Sequence, residues 1–361
     1  MARFYPLPVS EVRKELSDCV SVAFEIAPEV AEAFQFRAGQ YLTLRTIIDG
    51  EEVRRSYSIC SAPTNGELRV AIKAVADGKF SAWANTTLRK GDVLEVLPPD
   101  GRFTVRHPQK VGKQYLAVAA GSGITPVLSL ITEVLYTEPD SQFTLIYGNR
   151  TRGSILFRET LEGLKNQFMQ RLRIYHVLSR EAMDIPLFNG RIDGHKMSDF
   201  FGSLISPQSI DEAFICGPEE MILSVRDALQ NAGLADDRIH FELFTATGAA
   251  AAFRKTAPSV LSQEAAEAKS RVRITLDGVT TEMELAYGGE SILDAALRTG
   301  ADLPYACKGG VCATCRAKLT DGEVEMDLAY GLEKDEIAKG FVLTCQSHPR
   351  TPFVAVDFDQ R

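Results

Sequence analysis

The last 55 residues of this 361-residue chain hold four of its seven cysteines. They follow the spacing Cys307-x4-Cys312-x2-Cys315, and Cys345 comes after a further 29 residues. Three thiolates from one loop and a fourth from a distant segment is the plant-type pattern for a [2Fe–2S] cluster. Two consecutive glycines inside the loop let its backbone fold closely around a cluster and offer N–H groups to the sulfurs. The sequence therefore predicts these four cysteines as metal ligands.

A structural zinc site is the competing interpretation of the same cysteines. Zinc ribbons normally use two CxxC knuckles, whereas this chain has one CxxC, a cysteine five residues before it and a distant single cysteine. The other three cysteines (Cys19, Cys60 and Cys216) are isolated, and an odd total speaks against a disulfide scaffold. The spacing favours iron–sulfur and leaves zinc as the alternative.

Charge and hydropathy exclude two classes of partner. The net charge is −8, which does not suit a nucleic-acid-binding face. No stretch approaches the roughly 20 apolar residues that span a bilayer, and the first residues lack the plan of a signal peptide. We expect no nucleic acid, no membrane and a cytoplasmic location.

The pattern of apolar residues and turn residues along the sequence predicts three folded parts and a linker. Residues 1–108 show short alternating strands separated by turns, which favours an antiparallel β-barrel or sandwich. Residues 109–246 alternate strands with helices, as in a parallel α/β sheet. Residues 247–270 are Ala/Ser-rich, which is typical of a linker. Residues 271–361 contain a hairpin, a helix and the cysteine loop, so we expect an α+β domain.

Two motifs in the first part suit a flavin. Arg55-x-Tyr57-Ser58 closes a predicted strand, where it can bring an arginine to phosphates, a ring to an isoalloxazine and a hydroxyl near N5. Gly78 and Ser81 stand where a helix begins, and the free N–H groups of a helix start suit a pyrophosphate. Each motif is weak alone, and the first could be an ordinary strand end.

Two motifs in the second part suit a nicotinamide dinucleotide. Gly121-x-Gly123-x-Thr125 follows a strand and opens a helix, so its glycines allow close approach of a pyrophosphate. Cys216-Gly217-Pro218 ends another strand, where a small thiol can lie near a nicotinamide ring. A helix start without ligand and an ordinary buried cysteine are the alternatives.

These motifs together resemble the ferredoxin-NADP reductase superfamily, and the C-terminal segment resembles a plant-type ferredoxin. The domain order is that of oxygenase reductases. Three stretches are similar to the reductase subunits of phenylacetyl-CoA epoxidases: YGNRT at 147–151, AYGLE at 329–333 and VLTCQSHP at 342–349. The resemblance covers the whole chain except the linker. It implies a β-barrel FAD domain, a parallel-sheet NAD(P) domain and a β-grasp ferredoxin domain.

The resemblance also implies cofactors and residue roles. Hydride would pass from a reduced nicotinamide to flavin N5, and single electrons would pass on to the cluster. Ser58 and Cys216 are the implied catalytic residues, and Phe244 is a candidate to cap the flavin. The implied cofactor-binding residues are Arg55, Tyr57, Ser58, Gly78, Ser81, Gly121, Gly123, Thr125, Gly217 and Pro218. The motifs alone do not separate FAD from FMN.

The choice of coenzyme rests on the residues after one predicted strand. Ser179 and Arg180 resemble the pair that binds the 2′-phosphate of NADPH, and Arg150 could add a second positive group. An acidic residue aimed at the ribose hydroxyls would favour NADH, and Glu181 is the one evident after that strand. NADPH is favoured, while NADH and a merely solvated arginine remain open.

The electron acceptor implied by the resemblance is an oxygenase component. The di-iron phenylacetyl-CoA epoxidase of phenylacetate degradation is favoured. A Rieske-type oxygenase such as 3-ketosteroid 9α-hydroxylase shares the domain order and remains open. A non-catalytic electron-carrier module with vestigial flavin and nicotinamide sites is the alternative from another class.

Overall fold

The computed structural model describes residues 3–105, 111–244 and 268–360, which fall into two compact units. One unit comprises Phe4–Val53 and Tyr57–Phe244, and the other is built mainly from residues 268–360. The predicted boundaries at 108/109 and 246/247, and the predicted linker as far as residue 267, lie outside the described residues. None of the helices in the described ranges combines the length and apolar character that a membrane crossing needs.

The first unit begins with a six-stranded antiparallel sheet. Its strands are β1 (Tyr5–Leu16), β2 (Cys19–Phe24), β3 (Tyr41–Ile48), β4 (Glu51–Ser58), β5 (Leu68–Lys73) and β6 (Val93–Val96), in the order β4-β3-β6-β1-β2-β5. A bridge between Ile59 and Val70 joins the two edges, so the sheet closes into the expected barrel. Asp49 and Gly50 both have positive φ, as a tight hairpin turn between β3 and β4 requires. Helix α1 (Lys79–Thr86) follows β5.

A parallel sheet completes this unit. Its elements are β7 (Gln114–Ala120), α2 (Ile124–Thr137), β8 (Gln142–Asn149), α3 (Arg158–Gln167), β9 (Leu172–Leu178), α4 (Gly194–Ser203), β10 (Glu212–Gly217), α5 (Glu219–Asn231) and β11 (Ile239–Leu243). The order β11-β10-β7-β8-β9 reverses between β7 and β10. In open α/β sheets, ligands bind outside the carboxyl ends of the strands at such a reversal.

The second unit is a mixed sheet with a helix and a cysteine loop. Its elements are β12 (Lys269–Leu276), β13 (Val279–Ala286), α6 (Ile292–Arg298), β14 (Arg316–Asp321), β15 (Val324–Met326), α7 (Lys334–Ala338), β16 (Phe341–Leu343), β17 (Ser347–Pro349) and β18 (Phe353–Asp357). The main sheet has the order β13-β12-β18-β14-β16, with β12 and β18 parallel, while β15 pairs with β17. This is the expected β-grasp arrangement. Strand β12 begins at Lys269, so it includes the last two residues of the predicted linker.

Candidate cofactor sites

The cysteine loop lies between α6 and β14. Its tight path needs left-handed backbone at Lys308 (φ 50°), Gly310 (φ 75°) and Ala313 (φ 55°). The path turns backbone N–H groups inward: Gly309 N donates to Cys307 Sγ at 3.2 Å, and Cys312 N donates to the same sulfur at 3.5 Å. The loop therefore offers hydrogen bonds to thiolate sulfur, as a cluster requires.

The four predicted ligand cysteines are brought together as two pairs. The backbone N of Cys307 donates to Cys312 Sγ and that of Cys312 donates to Cys307 Sγ, both at 3.5 Å, while the Cys315 side chain is paired with that of Cys345. Thr344 holds the second pair by donating from its N (3.2 Å) and Oγ1 (2.9 Å) to the Cys315 carbonyl. Two irons that each take two thiolates fit this arrangement. Among the described residues, no group of three or more His, Cys, Asp or Glu side chains is placed to hold a single metal ion.

Protonation of these thiols follows from the same contacts. The hydrogen bond from Cys312, with help from backbone N–H groups, lowers the pKa of Cys307 to about 6. The pKa of Cys312 is raised because its thiol donates to Cys307 and is desolvated. Donation to Cys345 raises the pKa of Cys315 in the same way. Metal binding removes the remaining protons, since only thiolates ligate.

The predicted flavin residues lie at the end of β4 and the start of α1. The ring of Tyr57 lies 5.6 Å from that of Phe80. Arg55 is half-buried and donates from Nη1 to the Arg54 carbonyl at 2.6 Å. Ser58 is buried and ends the strand.

The turn before α1 has little room for a side chain at Gly78. Ser81 Oγ accepts from Val75 N at 3.2 Å and donates to the Gly78 carbonyl at 3.1 Å. A Cβ built on Gly78 would lie 2.4 Å from that hydroxyl. No side chain caps the start of α1 in the part of the chain that the structure describes, so its first backbone N–H groups suit a phosphate group.

The predicted dinucleotide residues meet where the order of the parallel sheet reverses. Gly121 has φ +56°, and its carbonyl accepts from the Tyr147 hydroxyl at 2.9 Å. A Cβ on Gly123 would lie 2.1 Å from the Cys216 carbonyl oxygen, and one on Gly217 would lie 3.1 Å from Ala120 Cβ. The turn after β7 and the end of β10 are therefore in backbone contact, which leaves a glycine-lined surface that a pyrophosphate can approach.

Two further dinucleotide residues lie beside this surface. Thr125 Oγ1 donates to the Ser122 carbonyl at 3.1 Å in the first turn of α2. Pro218 follows β10, is exposed, and is the N-cap residue of α5.

A carboxyl group that sequence reasoning missed joins the two predicted catalytic residues. The register of β10 and β11 sets Glu242 opposite Cys216, and Ser58 Oγ donates to Glu242 Oε2 at 2.8 Å. Desolvation raises the pKa of this half-buried Glu242 to about 7, and burial also raises the pKa of the fully buried Cys216 thiol. An acid inside a short apolar strand was the signal available in the sequence.

The three residues predicted for the 2′-phosphate are neighbours at the ends of β8 and β9. Arg180 N donates to the Arg150 carbonyl at 2.8 Å, and Arg150, Ser179 and Arg180 are all exposed. The carboxylate of Glu181 is bound by Arg152, which is not one of these three residues. It accepts a hydrogen bond from Arg152 N at 2.8 Å and lies 3.2 Å from Arg152 Nε. Phe244, the candidate to cap the flavin, is 41% exposed after β11.

Comparisons with known proteins match each part of the chain to a family. Residues 6–105 match an oxidoreductase FAD-binding domain, residues 117–227 an oxidoreductase NAD-binding domain and residues 274–350 a 2Fe-2S iron-sulfur cluster binding domain. The predicted fold class is confirmed, as are FAD, a pyridine nucleotide and a [2Fe–2S] cluster as the cofactors. Fold and sites define an NAD(P)H-dependent flavin and iron–sulfur oxidoreductase.

Three similar proteins cover the chain almost completely. It is 47% identical to a subunit of the 1,2-phenylacetyl-CoA epoxidase of Escherichia coli (strain K12), over 100% of this chain and 99% of that one. It is 33% identical to the ferredoxin reductase component of 3-ketosteroid-9-alpha-monooxygenase from Rhodococcus rhodochrous, over 98% and 96%. Phthalate dioxygenase reductase has the same fold, with a TM-score of 0.59, 23% identity and 98% of both chains covered. The chain belongs to the family of oxygenase reductase components that includes this Escherichia coli protein.

Proposed function

We propose that this chain is the NADPH-dependent reductase of a di-iron oxygenase that epoxidises phenylacetyl-CoA. When bound, FAD takes two electrons from the nicotinamide and the cluster passes them on singly. The observation that carries the electron-transfer role is the arrangement of the four cysteines, with Cys307 and Cys312 joined by backbone-to-sulfur hydrogen bonds and the Cys315 carbonyl bound by Thr344 beside Cys345. The identity of the oxygenase rests on the full-length similarity to a protein of the Escherichia coli phenylacetyl-CoA epoxidase.

The four cysteines divide the metal site between two irons in this proposal. Cys307 and Cys312 ligate one iron, and Cys315 and Cys345 ligate the other. Backbone N–H groups of the loop stabilise the negative charge on the sulfurs. The same N–H groups lower the pKa of Cys307 and so favour its thiolate, the form that binds iron.

The flavin and nicotinamide residues act through position and protonation. Arg55, Tyr57, Gly78 and Ser81 bind the flavin and its pyrophosphate. The residues that would hold the dinucleotide are Gly121, Gly123, Thr125, Gly217 and Pro218, and the uncharged Cys216 thiol would lie beside the reacting ring. Because the pKa of Glu242 is about 7, this carboxyl can hold or release a proton at Oε2, where Ser58 Oγ is its hydrogen-bond partner.

The coenzyme in this proposal is NADPH, because Arg152 engages the acidic residue that would favour NADH. With the Glu181 carboxylate bound by Arg152, the positive charges of Arg150 and Arg180 are available to a 2′-phosphate.

The test of coenzyme choice is the ratio of kcat/KM for NADPH to that for NADH. We expect Arg152→Ala to lower this ratio by up to about fivefold, the effect of one exposed ion pair. The double variant Arg152→Ala/Glu181→Gln should restore it, because no carboxylate is then released. A double variant as impaired as the single one would mean that Arg152 contacts the phosphate itself. A wild-type preference for NADH would contradict the NADPH assignment.

The oxygenase partner is tested by reconstitution. The purified chain with NADPH should support product formation by a di-iron phenylacetyl-CoA epoxidase at least about tenfold faster than by a Rieske-type 3-ketosteroid hydroxylase, the difference that about 1.4 kcal/mol of selectivity gives. The reverse order would identify a Rieske-type partner. Absence of bound flavin and of NADPH oxidation would identify a carrier module instead.

The cytoplasmic location expected from the sequence stays a prediction.

A further inference from the structure

A buried glutamine follows the last predicted ligand and reaches back to its sulfur. Gln346 is 2% exposed. Its Nε2 lies 3.6 Å from Cys345 Sγ, 3.0 Å from the Lys308 carbonyl oxygen and 3.0 Å from the Cys345 carbonyl oxygen. All three neighbours are acceptors, so the orientation with nitrogen toward them is the one that forms hydrogen bonds. The side chain therefore aims a donor at the fourth thiol.

The surroundings fix this side chain in place. The backbone carbonyl of Gln346 accepts a hydrogen bond from Asp327 N at 2.9 Å, and the backbone N of Gln346 donates to the Leu343 carbonyl at 2.9 Å. A Cβ built on Gly310 would lie only 3.1 Å from Gln346 Cγ, so the cysteine loop packs directly on the glutamine stem. A donor held by both its backbone and its stem needs little reorganisation when the charge of the sulfur changes.

We infer that Gln346 sets the reduction potential of the cluster through its amide hydrogen bond to Cys345 Sγ. One-electron reduction adds a negative charge that spreads onto the cysteine sulfurs, and a hydrogen bond to sulfur is stronger when that charge is larger. The amide has two hydrogens for three acceptors, so the sulfur gains a larger share of one of them on reduction. Gln346 therefore stabilises the reduced form and raises the potential. Gln346 is thus a positioning residue that tunes the cluster. This inference rests on the proposed ligand role of Cys345.

The test is a spectroelectrochemical titration of the cluster in the full-length holoprotein. Gln346→Leu keeps the bulk and removes the donor, and we expect the reduced-to-oxidised ratio at fixed potential to fall about tenfold, which is about 59 mV toward negative potential. Ser347→Ala is the matched control. Its buried hydroxyl donates to the Leu343 carbonyl at 2.8 Å in the same segment, so this variant loosens the segment without removing the Gln346 donor. Its potential should stay within about 10 mV of wild type, a change of less than twofold.

Two outcomes overturn the inference: an unchanged potential in Gln346→Leu, or an equal shift in Ser347→Ala. If Gln346→Leu assembles no cluster, wild-type protein labelled with 15N in the glutamine side-chain amide replaces it. Pulsed electron paramagnetic resonance of the reduced cluster should then show coupling to one amide nitrogen, and its absence is also a refutation. A cluster that assembles normally in Cys345→Ala would refute the proposed ligand set instead.

Discussion

Cys216 and Cys307 carry the same side chain in opposite surroundings. Cys216 is fully buried, faces the Glu242 carboxyl across two parallel strands, and has a pKa raised by desolvation. Cys307 lies in a loop whose N–H groups and neighbouring thiol stabilise a negative sulfur, and its pKa falls to about 6. One environment keeps a thiol neutral, and the other prepares a thiolate.

The difference shows that the surroundings, through burial at Cys216 and through hydrogen-bond donors at Cys307, decide the protonation state of the sulfur. A metal ligand needs a thiolate, and backbone donors within one loop supply the stabilisation. Next to a reacting ring, a charged sulfur would repel an incoming electron pair, so a desolvated, neutral thiol suits that position. The experiments below test this contrast, beginning with the largest expected effect.

Serine substitution at a cysteine from each environment should separate the two roles most strongly. Cys345→Ser should lose its iron and its visible iron–sulfur absorption while it keeps flavin, because one iron loses half of its protein ligands. Cys216→Ser should keep both irons and lose rate in NADPH oxidation. Iron and sulfide analysis with a visible spectrum measures both. An iron-loaded Cys345→Ser, or a wild-type protein that holds zinc, would break the contrast.

Removal of the ionisable group beside Cys216 should change how stability depends on pH. The pKa of Glu242 is about 7 in the folded state against an ordinary 4.5. Its contribution to the free energy of unfolding is therefore fully present below pH 4.5 and is lost as pH rises through 7. Glu242→Gln removes this loss, which we put at about 2 kcal/mol at pH 8 after a discount for partial exposure.

Urea unfolding at pH 5 and pH 8 checks the Glu242 prediction. Glu162→Gln, which removes an exposed carboxylate paired with Arg158, is the control and should follow wild type. If the free energies of unfolding of wild type and Glu242→Gln differ by the same amount at both pH values, Glu242 is ionised over the whole range. The conclusion that Cys216 lies beside an uncharged carboxyl is then wrong.

A methyl group at the backbone contact behind Cys216 should have an effect comparable in size to that of the Glu242 substitution. Gly123→Ala places a Cβ 2.1 Å from the Cys216 carbonyl, so one of the two chain segments must shift. We expect a loss of about 1–3 kcal/mol in stability and about a tenfold fall in kcat/KM for NADPH, since misplacement near reacting groups is costly. Gly163→Ala lies inside α3, and its Cβ meets nothing within 4 Å, so it should leave kcat/KM unchanged and raise stability by about 0.5–1 kcal/mol. Equal behaviour of the two variants would show that the contact does not position the coenzyme.

Periodicity located most of the regular elements. The sequence pattern after Gly121 predicts a helix at 126–136, and the structure has it at Ile124–Thr137. Within the C-terminal part the pattern predicts a hairpin at 272–276 and 281–285, and the structure has it at Lys269–Leu276 and Val279–Ala286. The first strand, Tyr5–Leu16, was missed. Two prolines and a run of charged residues obscure its alternation, and it is recognisable as a strand only through its pairing with β2 and β6.

The cysteine spacing favoured iron–sulfur over zinc in the C-terminal part, because four ligands with this sequence separation are typical of one metal class and indicate the loop that holds it. The glycine and Arg-x-Tyr-Ser motifs likewise indicated the nucleotide-binding parts. Only the tertiary structure decided that Glu242 meets Ser58 and Cys216, and that Gln346 turns back onto Cys345. Residues far apart in the chain, or side chains with several rotamers, acquire a partner only when strand register and packing select one arrangement.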